Sequence, residues 1–178
     1  MVLVDPQVYG PFCKSLIHLL RNAVDHGIED PDTRLLADKN EVASIRCCVH
    51  ATADHLRLTI SDDGSGIDPA RIRAKAVELG KLGNTEAAEL DDAEVLKLIF
   101  LDGLTTRSEA NTISGRGVGL AAVHQELESL GGMVQLDSTL GQGTQFVFTL
   151  PHRPTTAEIN GDRKRAASLM DRAGTAAK

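Results

Sequence analysis

The sequence contains no tryptophan, one tyrosine and four phenylalanines in 178 residues. So small a stock of aromatic faces excludes the stacking platforms that hold single-stranded nucleic acid. A net charge of −6 argues further against a nucleic-acid partner, because a phosphate backbone calls for a surplus of Lys and Arg. Cysteine is scarce too: Cys13, Cys47 and Cys48 are odd in number and lack both CxxC and CxxxxC spacing. That excludes a disulfide framework or a zinc site and leaves the expectation of three small, buried apolar side chains in a reducing compartment. No apolar run approaches the roughly 18 residues of a membrane span, and no basic and apolar leader opens the chain. The expected location is cytoplasmic, with no membrane segment.

What is present is an ordinary globular composition, 42% hydrophobic and 25% charged, whose core must be built from Leu, Val, Ile and Ala. Charge is uneven: residues 151–178 carry a net +3, which leaves −9 for residues 1–150. The basic end holds few large apolar side chains and reads as a flexible tail, 152–178, with a short helix over 162–172 as its only candidate element. The domain is then 1–151.

Val2 to Pro11 reads as an extended lead-in fixed by Pro6 and Pro11. A helix is expected from Phe12 to His26, ending at Gly27. Glu29 to Asn40 is a polar loop or short helical turn around Pro31. Val42 to Ala51 and His55 to Ser61 are strands joined by a hairpin turn, since Leu56, Leu58 and Ile60 alternate with Arg57, Thr59 and Ser61. Helices follow over Pro69 to Leu79 and from Asp91 to Phe100, with a loop between them over Lys81 to Leu90. Leu101 to Ser114 has no sustained periodicity and reads as either a disordered loop or a functional lid. An apolar helix then runs to Leu130, and strands Met133 to Ser138 and Thr144 to Leu150 meet at a tight turn. This order predicts an α+β two-layer sandwich: a mixed sheet of four or five strands with helices on one face.

Three features carry chemistry. On the first helix, Phe12, Cys13, Leu16, Ile17, Leu19, Leu20, Ala23 and Val24 fill one side, while His18, Asn22 and His26 recur at i, i+4 and i+8 on the other. Such a row is either a solvated face or a line of groups able to take a proton, a metal or a phosphate. Asp62-Asp63-Gly64-Ser65-Gly66 puts a carboxylate at a strand end, where it can accept a hydrogen bond from an exocyclic amine while the glycines let a flat ring lie on the backbone; taken alone it is also an ordinary turn. Gly115-Arg116-Gly117-Val118-Gly119 exposes N–H groups and a helix dipole to an anion, or else makes a hinge. It is neither a GxxxxGK(S/T) loop nor a Rossmann turn. Gly141-Gln142-Gly143-Thr144 by itself is a hairpin.

In their order these motifs resemble the N, first-glycine, lid, second-glycine and third-glycine boxes of the GHKL ATPase superfamily. The run from His18 through Asn22, Asp25-His26-Gly27 and Glu29, with Ser114-Gly-Arg-Gly-Val-Gly119, is similar to chemotaxis-type (CheA-like) histidine kinases. The resemblance spans roughly residues 12–151 and implies a Bergerat-type fold with an ATP lid. It implies that Asn22 holds Mg²⁺ against the triphosphate, that Asp62 reads the adenine amine, and that Gly64, Gly66, Ile67 and Thr144 wall the base. His26, Arg71 and Lys75 would face the phosphates. Thr105 and Arg107 would reach in from the lid, and Gly115, Arg116, Gly117, Val118, Gly119 and Leu120 would wrap the triphosphate.

His18 stands where ATPases and chaperones of the superfamily carry a water-activating glutamate, which implies an acid–base or orienting role in transfer of the γ-phosphoryl group to a protein histidine. The implied cofactors are ATP and Mg²⁺. The implied partners are a phosphoacceptor histidine domain, in cis or in trans, and a response regulator downstream. Leu101-Asp102-Gly103-Leu104 departs from the family's usual proline and phenylalanine, which implies a more mobile and less apolar lid. Two further functions fit the same motifs: a nucleotide-binding regulatory module without phosphotransfer, and a serine kinase of the anti-sigma type.

Overall fold

The computed structural model describes residues 4–101, 103, 104 and 119–152. Asp5 lies in extended backbone and its Oδ1 accepts the Gln7 N–H at 2.8 Å, which caps a helix with Pro6 in its first turn. Helix α1 therefore spans Pro6–Asn22 and includes Pro11, so the expected extended lead-in is helical. The ring of Pro11 removes one intrahelical N–H. Tyr9, buried beside it, donates its hydroxyl to the Pro151 carbonyl at 2.6 Å and ties this end of the helix to the last strand.

At its other end α1 passes into a π turn, Ala23–Gly27, closed by Ile28 N–H to Ala23 O at 2.8 Å. The short helix α2, Pro31–Leu36, is capped by Asp30. Strands β1 (Ile45–Ala51) and β2 (His55–Asp62) form the expected hairpin. Helix α3 (Pro69–Glu78) starts at Asp68, whose Oδ1 accepts the Ala70 N–H. A further helix, α4 (Asn84–Glu89), occupies the segment expected as loop. Arg73 of α3 explains it: its guanidinium donates to the Ala87 and Leu90 carbonyls and pairs with Asp92, which fixes a segment that has little apolar pattern of its own. Asp91 and Glu94 form a reciprocal capping box for α5 (Asp92–Lys97), which tightens into a 3₁₀ turn over Leu98–Phe100. Helix α6 (Leu120–Ser129) then leads into β3 (Met133–Thr139) and β4 (Gly143–Pro151).

The sheet has four strands in the order β1-β2-β4-β3, and every neighbouring pair is antiparallel. The mixed sheet expected from the element order is corrected here. The long connection through the helices brings β3 back in the direction of β2, but β4 returns between them, so no parallel pair is adjacent. Leu56, Leu58 and Ile60 of β2 and Phe146, Phe148 and Leu150 of β4 point to one face, where they bury against Tyr9, Phe12 and Leu19 of α1 and Val123 and Leu127 of α6. A second cluster, Ile72, Ala76, Val95, Leu96 and Leu104, joins α3 to α5. The other face of the sheet carries Arg57, Thr59 and Gln145, mostly polar as expected of two layers, with Val147 of β4 the buried exception beside Thr59.

Two expectations about burial are overturned. All three cysteines are exposed and free. Cys47 and Val49 of β1 pair with Ile60 and Leu58 and so share the inner face, yet Val49 is 52% exposed, because the helical layer stops short of this edge strand. On α1 the buried stripe is narrower than the apolar one: Phe12, Ser15, Leu19 and Ala23 are buried, while Cys13, Ile17 and Val24 face solvent. Residues 153–178 and the possible helix over 162–172 lie outside the described residues. No helix among the described residues is long and apolar enough to cross a membrane.

Candidate nucleotide site

Three chain segments meet at the end of β2 through their backbones. The Ser65 N–H donates to Gly27 O at 2.6 Å, and the Gly141 N–H donates to Ser65 O at 2.7 Å. The Ile67 N–H donates to Ser138 Oγ at 2.8 Å, and that hydroxyl stands 3.1 Å from Thr144 Oγ1. The glycines are what allow this approach. A Cβ on Gly64 would strike the Gly27 carbonyl, and one on Gly143, at φ 112°, would strike the Asp62 carbonyl. The first-glycine motif, the end of the π turn and the β3–β4 turn are thus one packed wall.

Asp62 ends β2 opposite Ile45 on one side and Thr144 on the other, and its Oδ1 accepts the Gly64 N–H at 3.0 Å. Burial pushes its carboxyl above the ordinary range. Hydrogen bonds from the Gly64 and Thr144 backbones pull the other way, and the charges of Asp63 and Glu29 add to the rise. Gly27 stands against it: a methyl group there would lie 4.0 Å from Asp62 Oδ1 and 3.9 Å from Asn22 O. The wall therefore abuts the end of the first helix.

On that helix His18 is half-buried, while Asn22 and His26 are exposed. None of the three side chains is bonded to another described residue. The expected row is broken after Asn22, since the wider i→i+5 turn rotates His26 away from the line a regular helix would give. On α3, Arg71 is exposed, and Lys75 donates to Glu78 at 2.8 Å, so its ammonium already has a carboxylate partner. Gly119 precedes α6, where an added Cβ would meet no described residue, and Leu120 opens that helix. Thr105, Arg107, Gly115, Arg116, Gly117 and Val118 lie outside the described residues. Leu104, at the start of the expected lid, is buried in the second apolar cluster, so this position is apolar after all.

Sequence reasoning missed four residues beside this wall. Arg34, 1% exposed, pairs with Glu29 and Asp63, and Lys39 pairs with Glu29. Burial alone would raise both carboxyls. For Glu29 the hydrogen bond from Lys39 and the charges of Lys39 and Arg34 outweigh it, and for Asp63 the Ser44 N–H and Arg34 do so, so both sit below their ordinary values. The available signal was the alternation of acids and bases from Glu29 to Lys39, which reads equally well as a solvated loop. A cleft of about 490 Å³ elsewhere, lined by Lys97, Phe100, His124 and β3, includes none of the residues expected to bind nucleotide.

An antiparallel sheet backed by helices, with glycine-built turns converging on a half-buried aspartate beside the end of the first helix, is the frame of a nucleotide-binding ATPase domain. Residues 13–154 match the family of histidine kinase-, DNA gyrase B- and HSP90-like ATPases, and the chain belongs to that family. It is 43% identical over 148 residues to the chemotaxis protein CheA of Bacillus subtilis, covering 83% of this chain and 22% of that protein. It is 41% identical to the gliding motility regulatory protein of Myxococcus xanthus, again over 83% of this chain but 19% of the relative. The chain thus spans about a fifth of the length of these relatives. Among solved structures it is similar to the mycobacterial sensor histidine kinase MprB, with a TM-score of 0.49, 21% identity, and coverage of 86% of this chain and 78% of that one.

Proposed function

We propose that this chain is the ATP-binding catalytic domain of a two-component histidine kinase, transferring the γ-phosphoryl group of ATP to a histidine on another domain or protein. The observation that carries this reading is the convergence of Asp62, Gly64 and Gly27 at the end of the helix bearing His18 and Asn22, within a chain of this ATPase family.

The adenine amine would donate to Asp62, with Gly64, Gly66, Ile67 and Thr144 as the wall. That carboxylate is held by Gly64 N–H, so its orientation is set before the base arrives. Asn22 offers an exposed amide oxygen with no other partner among the described residues, which suits a hard cation. No three His, Cys, Asp or Glu side chains cluster among the described residues, so an ion here would complete its shell with phosphate and water, as magnesium does. Bound there, Mg²⁺ would neutralise charge on the triphosphate. His26 and Arg71 are exposed hydrogen-bond donors for the phosphates, and the segment from Gly115 to Leu120 would supply backbone N–H groups at the start of α6. Thr105 and Arg107 would act from the lid, and Lys75 would first have to leave Glu78.

In the transfer, the acceptor imidazole nitrogen forms a bond to the γ-phosphorus as the bond to the bridging oxygen breaks and ADP leaves. His18, half-buried on the same helix as Asn22, would orient the acceptor imidazole or take its proton. A response regulator would take the phosphoryl group next.

The test is incubation with Mg²⁺ and γ-labelled ATP in the presence of phosphoacceptor domains from related kinases. An acid-labile, base-stable label on the acceptor supports the reading. An acid-stable serine label, or tight nucleotide binding with no transfer, overturns it in favour of a serine kinase or a regulatory module. His18→Ala is expected to reduce transfer at least 10²-fold, with nucleotide affinity changed little; equal losses in both would remove His18 from the chemistry.

A further inference from the structure

The segment between the π turn and β1 does more than connect them. Asp38 takes the left-handed conformation, φ 55°, and the Lys39 N–H returns to Arg34 O at 2.9 Å, a turn that brings Lys39 alongside Arg34. From there Lys39 Nζ donates to Glu29 Oε1 at 2.7 Å, to Asp63 O at 3.0 Å and to Gly64 O at 2.7 Å. Arg34 donates through Nη1 to Glu29 Oε2 and Asp63 O, and through Nε to Asn40 O. Its Nη2 lies 3.1 Å from Asp63 Oδ2, while Asp63 Oδ1 accepts the Ser44 N–H at 2.9 Å.

The effect is concentrated on one loop. The carbonyls of Asp63 and Gly64, directly after Asp62, end on Lys39 and Arg34. The N–H groups of Asp63, Gly64 and Ser65 end on Ser44 O, Asp62 Oδ1 and Gly27 O. A loop with glycines at 64 and 66 loses much conformational entropy on ordering. Here that ordering is supplied in advance by two cations and one bridging carboxylate that lie outside the wall itself.

We propose that Lys39 and Arg34, bridged by Glu29, are positioning residues for base recognition: they hold the loop that aims Asp62, so that the ligand does not have to order it. This rests on the reading that the site binds an adenine nucleotide. If Lys39 is removed, the Gly64 carbonyl loses its donor and the Asp63 carbonyl keeps only Arg34, so the competent loop becomes a fraction of the population, which weakens binding by that fraction. Because the defect lies at the base, ATP and ADP lose the same factor with or without Mg²⁺, and preference for ATP over GTP narrows. A role confined to stability would move the melting temperature and leave that preference unchanged.

The experiment is calorimetric titration of the whole chain, unsubstituted and as Lys39→Met, Lys39→Arg and Glu29→Gln, with ATP, ADP and GTP, each with and without Mg²⁺. Lys39→Met is expected to bind ATP and ADP about tenfold more weakly while its affinity for GTP changes little. Lys39→Arg should recover most of the loss, and Glu29→Gln, the milder change should Lys39→Met not fold, should lose about threefold for both adenine nucleotides. Unchanged adenine-nucleotide affinity in the folded variants, or a loss seen only for Mg²⁺–ATP, overturns the proposal and leaves the nucleotide reading standing. Failure of the unsubstituted chain to bind any adenine nucleotide overturns both.

Discussion

The wall around Asp62 and the polar side of α1 face the same site, yet they are built in opposite ways. In the wall, the backbone groups of residues 63–65 are tied to Gly27, Ser44, Lys39 and Gly141, and Gly64, Gly66 and Gly143 leave no space for a side chain. On the helix, His18, Asn22 and His26 hold nothing among the described residues. The difference teaches where specificity and chemistry are divided. On the proposed reading, a planar base would be recognised by a surface fixed in advance, whereas a triphosphate with its cation would bring its own charge and be met by side chains left free to turn toward it.

The comparison breaks first at Gly143. With φ at 112° and the Asp62 carbonyl against its α-carbon, Gly143→Ala has to move β2 or β4, and we expect a loss of about 3 kcal/mol or more in stability together with nucleotide binding. Chemical denaturation measures the first and calorimetry the second; a stable variant that binds normally would show that the wall is not rigid. On the free side, Asn22→Ala should abolish the Mg²⁺-dependent part of ATP affinity while changing stability by no more than about 0.5 kcal/mol, because its exposed amide supports nothing in the fold. If ATP binding with Mg²⁺ survives, the metal assignment is wrong.

Asp62→Asn sharpens the contrast within the wall. Its carboxylate is raised by burial, so charge at neutral pH works against folding, and the amide should leave the melting temperature unchanged or higher. The same change turns an acceptor toward a donor and should weaken adenine-nucleotide binding by about 2 kcal/mol, or about 30-fold. Lower stability with intact binding would contradict both halves.

The smallest effect is on acid stability. Glu29 and Asp63 are depressed, so their contribution is present above the unfolded carboxylate values near pH 4 and is lost as pH falls through the lower folded values. Asp62 titrates in the opposite sense, its unfavourable charge disappearing as pH falls through its raised value. Melting curves between about pH 2 and 5 should therefore show a shallower acid loss for Glu29→Gln than for the unsubstituted chain. An identical slope would mean that the pair with Lys39 adds nothing.

How much of this was legible in the sequence follows from the range of each signal. The alternation of Leu56, Leu58 and Ile60 with polar neighbours, and Asp91 ahead of its helix, are local, and the corresponding strand and cap appear where expected. The family match agrees with the glycine motifs taken in order. Period two in a strand cannot tell an edge from a centre, so Cys47 and Val49 face inward on β1 without being covered. The helix through Pro11 starts at the Asp5 cap, a local signal that was not read, and is tied by Tyr9 to Pro151, 142 positions away in sequence. Arg34 and Lys39 depend on carbonyls that only the folded β2 end brings near. Long-range hydrogen bonds to backbone leave no periodic trace, so the segment read as a polar loop or short helical turn, the latter found as α2, with no sign of its ion pairs.

The hydroxyl of Tyr9 on the Pro151 carbonyl has a geometric consequence. β4 runs from Thr144, beside Asp62, to Pro151, beside His55, so the helix start and the strand end are joined at the far end of the sheet, about 24 Å from the wall. α1, a rod of about 25 Å tied at Tyr9 near its start, runs toward the site and ends at Asn22, where the π turn continues to Gly27. The chain therefore enters and leaves the described fold at one corner, and α1 leads from that corner to the proposed nucleotide wall.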